Sequence, residues 1–433
     1  MGNPGGLARI LGLLLLGSGL FIGCKQLHEG ARESAELEEA LPGRIQEADS
    51  ILTVRQIVDP SSEEQVPGEA IAILGGKILA VSTRDGILRY RGVRTKLQEF
   101  AQAYAYPGLI DAHGHLRNLG MALEEPEQTA RRSCRSRQEG PPEDVERQLL
   151  VAQRACLGAG ITRVHDAGTS SRVRRTLRRL EQAGIWKLGV YGMLLAAEAP
   201  LPAMDDPGPA ARLRFPALKI FADSHAGSMS EQELEWLVAL CVERGYQPCT
   251  HASGSSRLVL DVYARLLRGD LSRLRPRIEH AGLVAPEDLP LLASLGIIAC
   301  LQPLRSEGAP VPPTARKLLE QRARVCLGSD FPTATPSPFE GIYAAVRTEQ
   351  LTRREALLGY SGWAAYAAGE EALRGRVRPG FVADLTILDR NLLRVPEEAL
   401  LGTKVLATVV AGETVYRSDH DVEKPPWMPT KQR

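Results

Sequence analysis

Short apolar runs alternate with longer amphipathic stretches through the middle of the chain. Helical stretches are predicted at 145–158, 173–183, 231–244, 255–268, 286–295 and 314–323, many bounded by Gly or Pro. Apolar runs that predict buried strands lie before, between and after them, at 105–112, 161–165, 186–193, 217–222, 246–251, 276–280, 296–302 and 324–330. Eight strands that alternate with helices predict an α/β fold, a (β/α)8 TIM barrel.

Both flanks of this region carry a different pattern, with apolar and polar residues alternating as in antiparallel strands. The candidate strands are 51–58, 69–74, 77–82 and 96–104 before the barrel, and 383–388 and 404–417 after it. From this pattern alone, the first flank could equally be a separate domain.

Length and composition fit a soluble globular protein with one large and one smaller domain. The chain has 433 residues, 44% of them hydrophobic and 24% charged. Its 53 basic residues are balanced by 52 acidic ones, so no overall basic field favours nucleic acid as a partner.

The amino terminus predicts export and a lipid anchor. Arg9 precedes an apolar run, 10–22, that is short for a membrane span and suits the core of a signal peptide. The run ends at Gly23-Cys24, which resembles a bacterial lipoprotein cleavage site, so we expect a signal peptide over 1–23, lipid on Cys24 and a polar tether to residue 45. Lys25 suggests the outer membrane by resemblance to bacterial sorting rules. An uncleaved anchor or an ordinary signal peptide are the alternatives.

Metal-ligating side chains follow several of the predicted barrel strands. His113 and His115 are two residues apart on a strand, so both project to the same side and can close on one metal ion. Further candidates end later strand-like runs, at Lys219, His251, His280 and Asp330. Active sites of TIM barrels lie at the carboxyl ends of the strands, where all six residues are predicted.

Eight motifs carry a resemblance to a known family. They are PGLIDAHGHL at 107–116, GITRVHDAG at 160–168, LKIFADSHAGS at 218–228, THASG at 250–254, RIEHA at 277–281, LQP at 301–303, LGSDFP at 327–332 and GFVADLTILD at 380–389. Together they resemble the amidohydrolase superfamily, in the branch of the N-substituted formamide deformylases and many metal-dependent hydrolases. The resemblance implies two divalent metal ions bridged by a carbamylated Lys219 and a hydroxide.

The same resemblance assigns ligands and domains. His113, His115 and Asp330 would hold the more buried metal, and His251 and His280 the other, with zinc as the default for such ligands and manganese or iron as alternatives. Both chain ends would join in one small β-sandwich. The expected domains are the sandwich, 46–104 with 372–418, the barrel, 105–371, and a tail, 419–433.

Two of these residues have alternative interpretations. Lys219 could be a carbamate, or an ammonium group paired with Asp223. Asp330 could be a metal ligand and the general base, or the N-cap of a helix; Pro332 and the Thr/Ser/Pro-rich stretch to Pro338 place the next helix later, which favours the ligand.

Weaker candidates surround this set. His165 could face the pocket or support a ligand from behind, His225 could contact substrate, and Arg277 is expected to brace the barrel. Cys134 and Cys156 are the cysteine pair that a disulfide test would address, whereas the cysteines on the barrel strands are expected to be buried thiols.

The predicted activity is hydrolysis of a carbon–nitrogen bond in a small amide, an N-acyl compound or a cyclic amide, by hydroxide attack with Asp330 as general base. A dipeptidase, an esterase or phosphoesterase, or a silent surface binding lipoprotein are the alternatives. Two departures leave the substrate open: Ser224 and Ser255 replace residues common in relatives, and only 45 residues separate His115 from Ile161, where relatives carry a long insertion.

Overall fold

The computed structural model describes residues 46–62, 68–124, 141–198, 204–224, 227–252, 254, 256–269, 271–304, 314–348 and 351–418. The candidates Cys24, Cys134 and His225 lie outside these ranges, as do the signal-peptide run and the tail. Residues from Ala48 onward belong to one compact unit. In the described part of the chain, no helix is long and apolar enough to cross a membrane.

The described strands, in chain order, are β1 Ser50–Ile57, β2 Ala70–Leu74, β3 Lys77–Ser82, β4 Lys96–Pro107, β5 Leu109–Gly114, β6 Ile161–Thr169, β7 Gly189–Leu195, β8 Leu213–Phe221, β9 Asp223–Ser224, β10 Gly227–Ser228, β11 Gln247–His251, β12 Arg277–Glu279, β13 Ile298–Leu301, β14 Arg324–Leu327, β15 Leu385–Leu388, β16 Val405–Val410 and β17 Glu413–Arg417. The helices are α1 Arg84–Ile87, α2 Leu116–Glu124, α3 Pro142–Gly158, α4 Ser171–Gln182, α5 Glu231–Arg244, α6 Ser256–Leu266, α7 Leu271–Leu274, α8 Leu289–Ser294, α9 Thr314–Glu320, α10 Pro338–Arg347, α11 Arg353–Gly359 and α12 Gly362–Ala367.

Eight parallel strands form the predicted barrel, in the order β5, β6, β7, β8, β11, β12, β13, β14. The first and last strands meet just beyond their ends, where the Asp330 amide donates to the His113 carbonyl at 2.7 Å and the His115 amide donates to the Phe331 carbonyl at 3.0 Å. We call this junction the barrel seam. β5 and β12 are buried along their whole length, as expected for parallel strands covered on both faces. The TIM-barrel prediction is confirmed.

Both chain ends contribute to a second sheet, as the resemblance implied. Its order is β17, β16, β15, β4, β1, β2, β3, with β1 parallel to β4 and the other neighbours antiparallel. The start of β3 also bonds to the segment before β15, since the Ile78 amide donates to the Phe381 carbonyl at 2.8 Å. The sheet therefore curls around an apolar core that includes Leu52, Ile73, Phe381 and Ile387.

Polar residues at the helix starts explain why several helices begin where they do. The Ser170 hydroxyl accepts from the Val173 amide before α4, and Ser230 and Thr352 form capping boxes with Glu233 and Glu355 before α5 and α11. α5 ends at Gly245, whose φ of 76° is the left-handed conformation that glycine favours.

Strand boundaries are where the sequence prediction was least accurate. The first barrel strand begins at Leu109 rather than at 105, because residues to Pro107 belong to β4 of the second sheet. The end of β4 and the start of β5 are both apolar and buried, and Gly108 is the single residue between them, so the pattern gives no visible break. The helix expected beyond Asp330 begins at Pro338 with Ser337 as its N-cap, which confirms its later start.

The cysteines of the barrel strands are buried, as expected. Cys249, Cys300 and Cys326 are each fully buried with free thiols, on β11, β13 and β14. Cys156 is also buried and free. Its proposed partner Cys134 lies outside the residues that the structure describes.

Candidate metal centre

Six candidate ligands lie at the carboxyl ends of barrel strands. His113 is on β5, Lys219 on β8 and His251 at the end of β11. His115, His280 and Asp330 follow β5, β12 and β14. Parallel strands all end on the same side of a barrel. The six residues, although distant in sequence, therefore lie around one opening of the barrel, which we call the barrel mouth.

His113, His115 and Asp330 form the tightest group. The Asp330 Oδ1 atom lies 3.5 Å from His113 Nε2 and 3.3 Å from His115 Nε2. One ligand atom from each residue lies within 4.8 Å of the other two. Two imidazoles and a carboxylate at such distances are a donor set typical of zinc.

Left-handed backbone conformations orient the side chains of two candidate ligands. His280 has a φ of 63° and Asp330 a φ of 60°. For residues other than glycine such conformations cost about 1–3 kcal/mol and cluster at functional sites. His280 directly follows β12, and Asp330 lies three residues beyond the end of β14, so each left-handed bend comes where the chain leaves its strand.

Glu279 holds His113 from behind. The Glu279 Oε2 atom lies 2.5 Å from His113 Nδ1, and both side chains are fully buried. Burial alone would raise the pKa of Glu279, but the positive charge of Arg277 and the hydrogen bond with His113 outweigh it and hold the pKa well below its usual range. An ionised carboxylate only accepts hydrogen bonds, so His113 donates through Nδ1 and keeps its lone pair on Nε2.

Arg277 fixes Glu279 in turn. Its Nε donates to Glu279 Oε1 at 2.7 Å, and its terminal nitrogens donate to the Ala112 carbonyl at 2.8 Å and lie 2.9 Å from His165 Nδ1. Arg277 therefore braces the barrel, as the sequence predicted. His165 is fully buried and contacts Arg277, the partner of Glu279.

His251 and His280 form a second pair beside the first group. Their ring centroids are 4.5 Å apart, and the His280 ring lies 4.8 Å from that of His113. His280 Nδ1 lies 3.0 Å from Gln302 Oε1, and His251 Nε2 lies 3.5 Å from Asp223 Oδ1. The arrangement offers imidazole nitrogens for a second ion next to the first.

Lys219 is almost completely buried among these groups. Burial lowers the pKa of its amine, against the opposing effect of Glu279 and Asp330. Its Nζ atom lies 5.1 Å from the centre of the Phe221 ring. Among the described residues Lys219 forms no ion pair, and Asp223, the alternative partner, instead faces His251 and accepts from the Gly254 amide.

Charge states at the mouth suit metal ligands. Burial lowers the pKa of His113 to about 4, and that of His280 well below its usual value, so both rings are neutral at pH 7. Burial would raise the pKa of Asp330, but the hydrogen bond from His115 and the neighbouring histidines hold it below its usual range. Two neutral imidazoles therefore face an ionised carboxylate.

Sequence reasoning missed Glu279 and Gln302 as members of this site. Both stand in motifs already identified, next to His280 in RIEHA and within LQP. The period-two rule for strands would turn Glu279 away from His280, but the left-handed conformation of His280 breaks that alternation.

Comparison with known proteins agrees with this geometry. The sequence model of the Amidohydrolase family matches residues 120–416. An N-substituted formamide deformylase from Arthrobacter pascens is 27% identical over 320 residues, which are 60% of this chain and 58% of that protein. The protein LONG AFTER FAR-RED 3 from Arabidopsis thaliana is 30% identical over 218 residues, 43% of this chain and 37% of that protein. The chain spans about half the length of these curated relatives.

Solved structures share the fold. An uncharacterised metal-dependent hydrolase from Pyrococcus horikoshii is 18% identical with a TM-score of 0.64, over 81% of this chain and 99% of that chain. An adenosine deaminase from Xanthomonas campestris, solved with bound zinc, is 16% identical with a TM-score of 0.64, over 86% and 93% of the two chains.

Proposed function

The chain belongs to the amidohydrolase family, and from this premise we propose that it is a metal-dependent hydrolase of a carbon–nitrogen bond in a small non-peptide amide. N-substituted amides, N-acyl compounds and cyclic amides are the substrate classes in view. The formamide deformylase among the relatives supports this choice.

One observation carries the proposal. His113 Nε2 is buried and has no hydrogen-bond partner among the described residues, while Nδ1 is taken by Glu279. A buried polar atom without a partner costs about 1–3 kcal/mol. A cation held between this nitrogen, His115 and Asp330 would satisfy it.

The donor set fits two divalent ions. His113, His115 and Asp330 would hold one, His251 and His280 the other, and Lys219 would bridge them as a carbamate. An ammonium group has no lone pair and repels cations, whereas the neutral amine can add carbon dioxide and release a proton to give a carbamate, whose single negative charge is shared by two oxygens. The lowered pKa of Lys219 and its lack of an ion pair among the described residues support the neutral amine.

Bound divalent ions would activate water and polarise the substrate carbonyl. The residues of this chain would then position the reactants and move the proton. Asp330 is ionised at neutral pH, so its carboxylate can take a proton from the attacking water and deliver it to the departing nitrogen. Glu279 and Arg277 would hold His113 in a single orientation throughout.

Metal analysis combined with a substrate panel tests the proposal. We expect about two divalent ions per chain, turnover of at least one amide class, and loss of both second-ion binding and activity in Lys219→Ala, with short carboxylic acids restoring part of the rate. Lys187→Ala is the control, because Lys187 pairs with Glu413 away from the mouth. If protein incubated with excess divalent metal binds no ion tightly, the metal-dependent hydrolase is refuted. Faster turnover of dipeptides, esters or phosphoesters than of amides would assign the site to that substrate class.

A further inference from the structure

Residues 88–97, from a single 3-10 turn at Leu88–Tyr90 to the first two residues of β4, form a surface segment that combines exposed aliphatic and basic side chains; we call it the basic-apolar loop. Leu88 and Leu97 are each about half exposed and Val93 is fully exposed. Four exposed cations alternate with them, Arg89, Arg91, Arg94 and Lys96. The sequence from 86 to 98 contains no acidic residue.

The cations of the loop are available for a partner. In the part of the chain that the structure describes, none of the four forms an ion pair. The nearest flanking acid on β4, Glu99, lies 3.1 Å from Arg84, which also lies 3.6 Å from Glu69. The four cations therefore form no ion pair within the described residues, although the net charge of the whole chain is only +1.

Hydrogen bonds hold the loop in one shape. The Gly92 amide donates to the Thr95 hydroxyl at 2.8 Å, and that hydroxyl donates to the Ala48 carbonyl at 2.6 Å. The Arg91 amide donates to the Leu88 carbonyl at 3.0 Å. Tyr90 packs against a buried apolar cluster beneath the loop. A preformed loop loses little conformational entropy when it binds.

The chain enters the folded unit beside this loop. The Ala48 amide donates to the Tyr90 carbonyl at 2.8 Å, and the Lys96 amide donates to the Asp49 carbonyl at 2.9 Å. Residues 23–47 connect this point to the apolar run at 10–22. The folded unit therefore begins, at Ala48, in hydrogen-bond contact with the loop.

From these observations we propose that the basic-apolar loop binds the surface of an anionic phospholipid membrane. Val93, Leu88 and Leu97 would enter the boundary between headgroups and acyl chains, and the four cations would contact lipid phosphates. Aliphatic tips favour lipid over nucleic acid, because bases stack on exposed aromatic rings and the one aromatic residue of the loop, Tyr90, is half-buried beneath Arg89.

Fluorescence of the full-length chain tests this inference. An environment-sensitive fluorescent amino acid at position 93 should shift to the blue with phosphatidylcholine vesicles that contain phosphatidylglycerol, and much less with phosphatidylcholine alone. The control is the same amino acid at position 401, because Leu401 is also about half exposed but lies on the segment packed against α10. Position 401 should not respond.

Charge variants provide the second arm. Replacing Arg89, Arg91, Arg94 and Lys96 by Gln should raise the vesicle concentration for half-maximal signal more than about tenfold, since one basic residue near an anionic surface strengthens binding about fivefold. The control variant replaces four exposed arginines elsewhere by Gln and removes the same amount of charge. It should change the vesicle concentration for half-maximal signal little. The residues for this control are Arg244, Arg257, Arg265 and Arg347.

Three results would overturn the proposal. One is no shift at position 93 with anionic vesicles. Another is an equal shift at positions 93 and 401. The third is a shift that grows with protein concentration in the absence of vesicles, which would assign the loop to contact with a second copy of the chain. None of these outcomes depends on catalytic turnover.

Discussion

Asp330 lies between His113 and His115 and is the residue with the most demanding proposed role, since it would bind metal and carry the proton. In Asp330→Asn the amide oxygen can still coordinate, but the side chain can no longer accept a proton. We expect kcat to fall by about 10²–10⁴-fold while the fold and much of the metal remain. Steady-state kinetics with metal analysis of the same sample checks this. Near wild-type turnover in a metal-loaded variant would leave Asp330 a structural ligand.

Glu279 is the positioning residue with the clearest structural support. Glu279→Gln removes the buried negative charge that fixes the His113 tautomer and balances Arg277. Partners behind a metal-binding histidine typically contribute 10–100-fold in metal affinity, so we expect weakening of about that size. Chelator competition measures it directly. Glu371→Gln, which breaks the half-exposed pair with Arg275, is the matched control and should leave affinity unchanged. Equal affinities for the two variants would contradict the role.

Asp111 makes the stability of the metal-free protein depend on pH. Burial raises its pKa from 3.8 to about 6, so the folded protein holds this proton more tightly than the unfolded chain. The resulting stabilisation is present below about pH 4 and is lost as the pH rises through about 6. Asn keeps the acceptor for the His113 and Ser329 amides without the charge.

The free energy of unfolding of Asp111→Asn, relative to wild type, should therefore increase between about pH 4 and pH 7. The amide nitrogen of the new Asn adds a free-energy cost of folding that is the same at every pH. Urea titrations with chelator at several pH values provide the measurement. Asp261→Asn, on the exposed face of α6, should show no such trend. If the difference in unfolding free energy between Asp111→Asn and wild type does not change with pH, burial does not raise the pKa of the Asp111 carboxyl group.

The candidate ligands could be predicted from the sequence because each lies near or just beyond the end of a strand and belongs to a recognisable motif. Glu279 and Gln302 could not, since their roles depend on side-chain direction after the left-handed turn at His280. The ligand roles themselves stay predictions until metal is measured.

At the scale of elements, the barrel seam depends on a close approach between β14 and β5. A Cβ atom added to Gly328 would lie closer than 3.0 Å to the backbone of His113. Gly328→Ala should therefore push the two strands apart and destabilise the fold by about 1–3 kcal/mol or more, with loss of metal binding. Gly269→Ala is the control, because no atom lies within 4 Å of an added Cβ there. Thermal unfolding of both variants measures this destabilisation. Equal melting temperatures for the two variants would contradict a close approach of β14 and β5 at the barrel seam.

Element types were largely predictable and their limits were not. Apolar runs predicted all eight barrel strands, because strands that are buried on both faces contain few polar residues. The limit between β4 and β5 was predicted between residues 104 and 105, whereas β4 continues to Pro107 and only Gly108 separates it from β5. α2 was missed because it begins directly after His115 with no capping residue to mark its start.

At the scale of the whole molecule, the pairing of the two chain ends in one sheet came from family resemblance and not from the pattern. Alternation shows that a segment forms strands, but pairing of β4 with β15 joins residues nearly the whole barrel apart. No local signal encodes that contact. The location of the protein is likewise a proposal: we propose attachment to a bacterial membrane through lipid on Cys24.

Cys24→Ala tests that attachment. Removal of the only thiol next to the apolar run should abolish fatty-acid labelling and move the protein from the membrane to the soluble fraction or change its compartment. Labelling and fractionation of cells that express each form measure this. Cys134→Ala is the control and should remain labelled. Continued labelling of the Cys24 variant would show that the terminus is not a lipoprotein signal.

The barrel seam also has a consequence for synthesis on the ribosome. The most compact group of ligands straddles the junction between the first and last strands, with His113 and His115 on one side and Asp330 on the other. Both histidines lie at the end of the first barrel strand, and their partner comes after the last one. A prematurely terminated chain that ends before Asp330 therefore lacks the complete group, so metal capture by this group would mark chains whose barrel is complete.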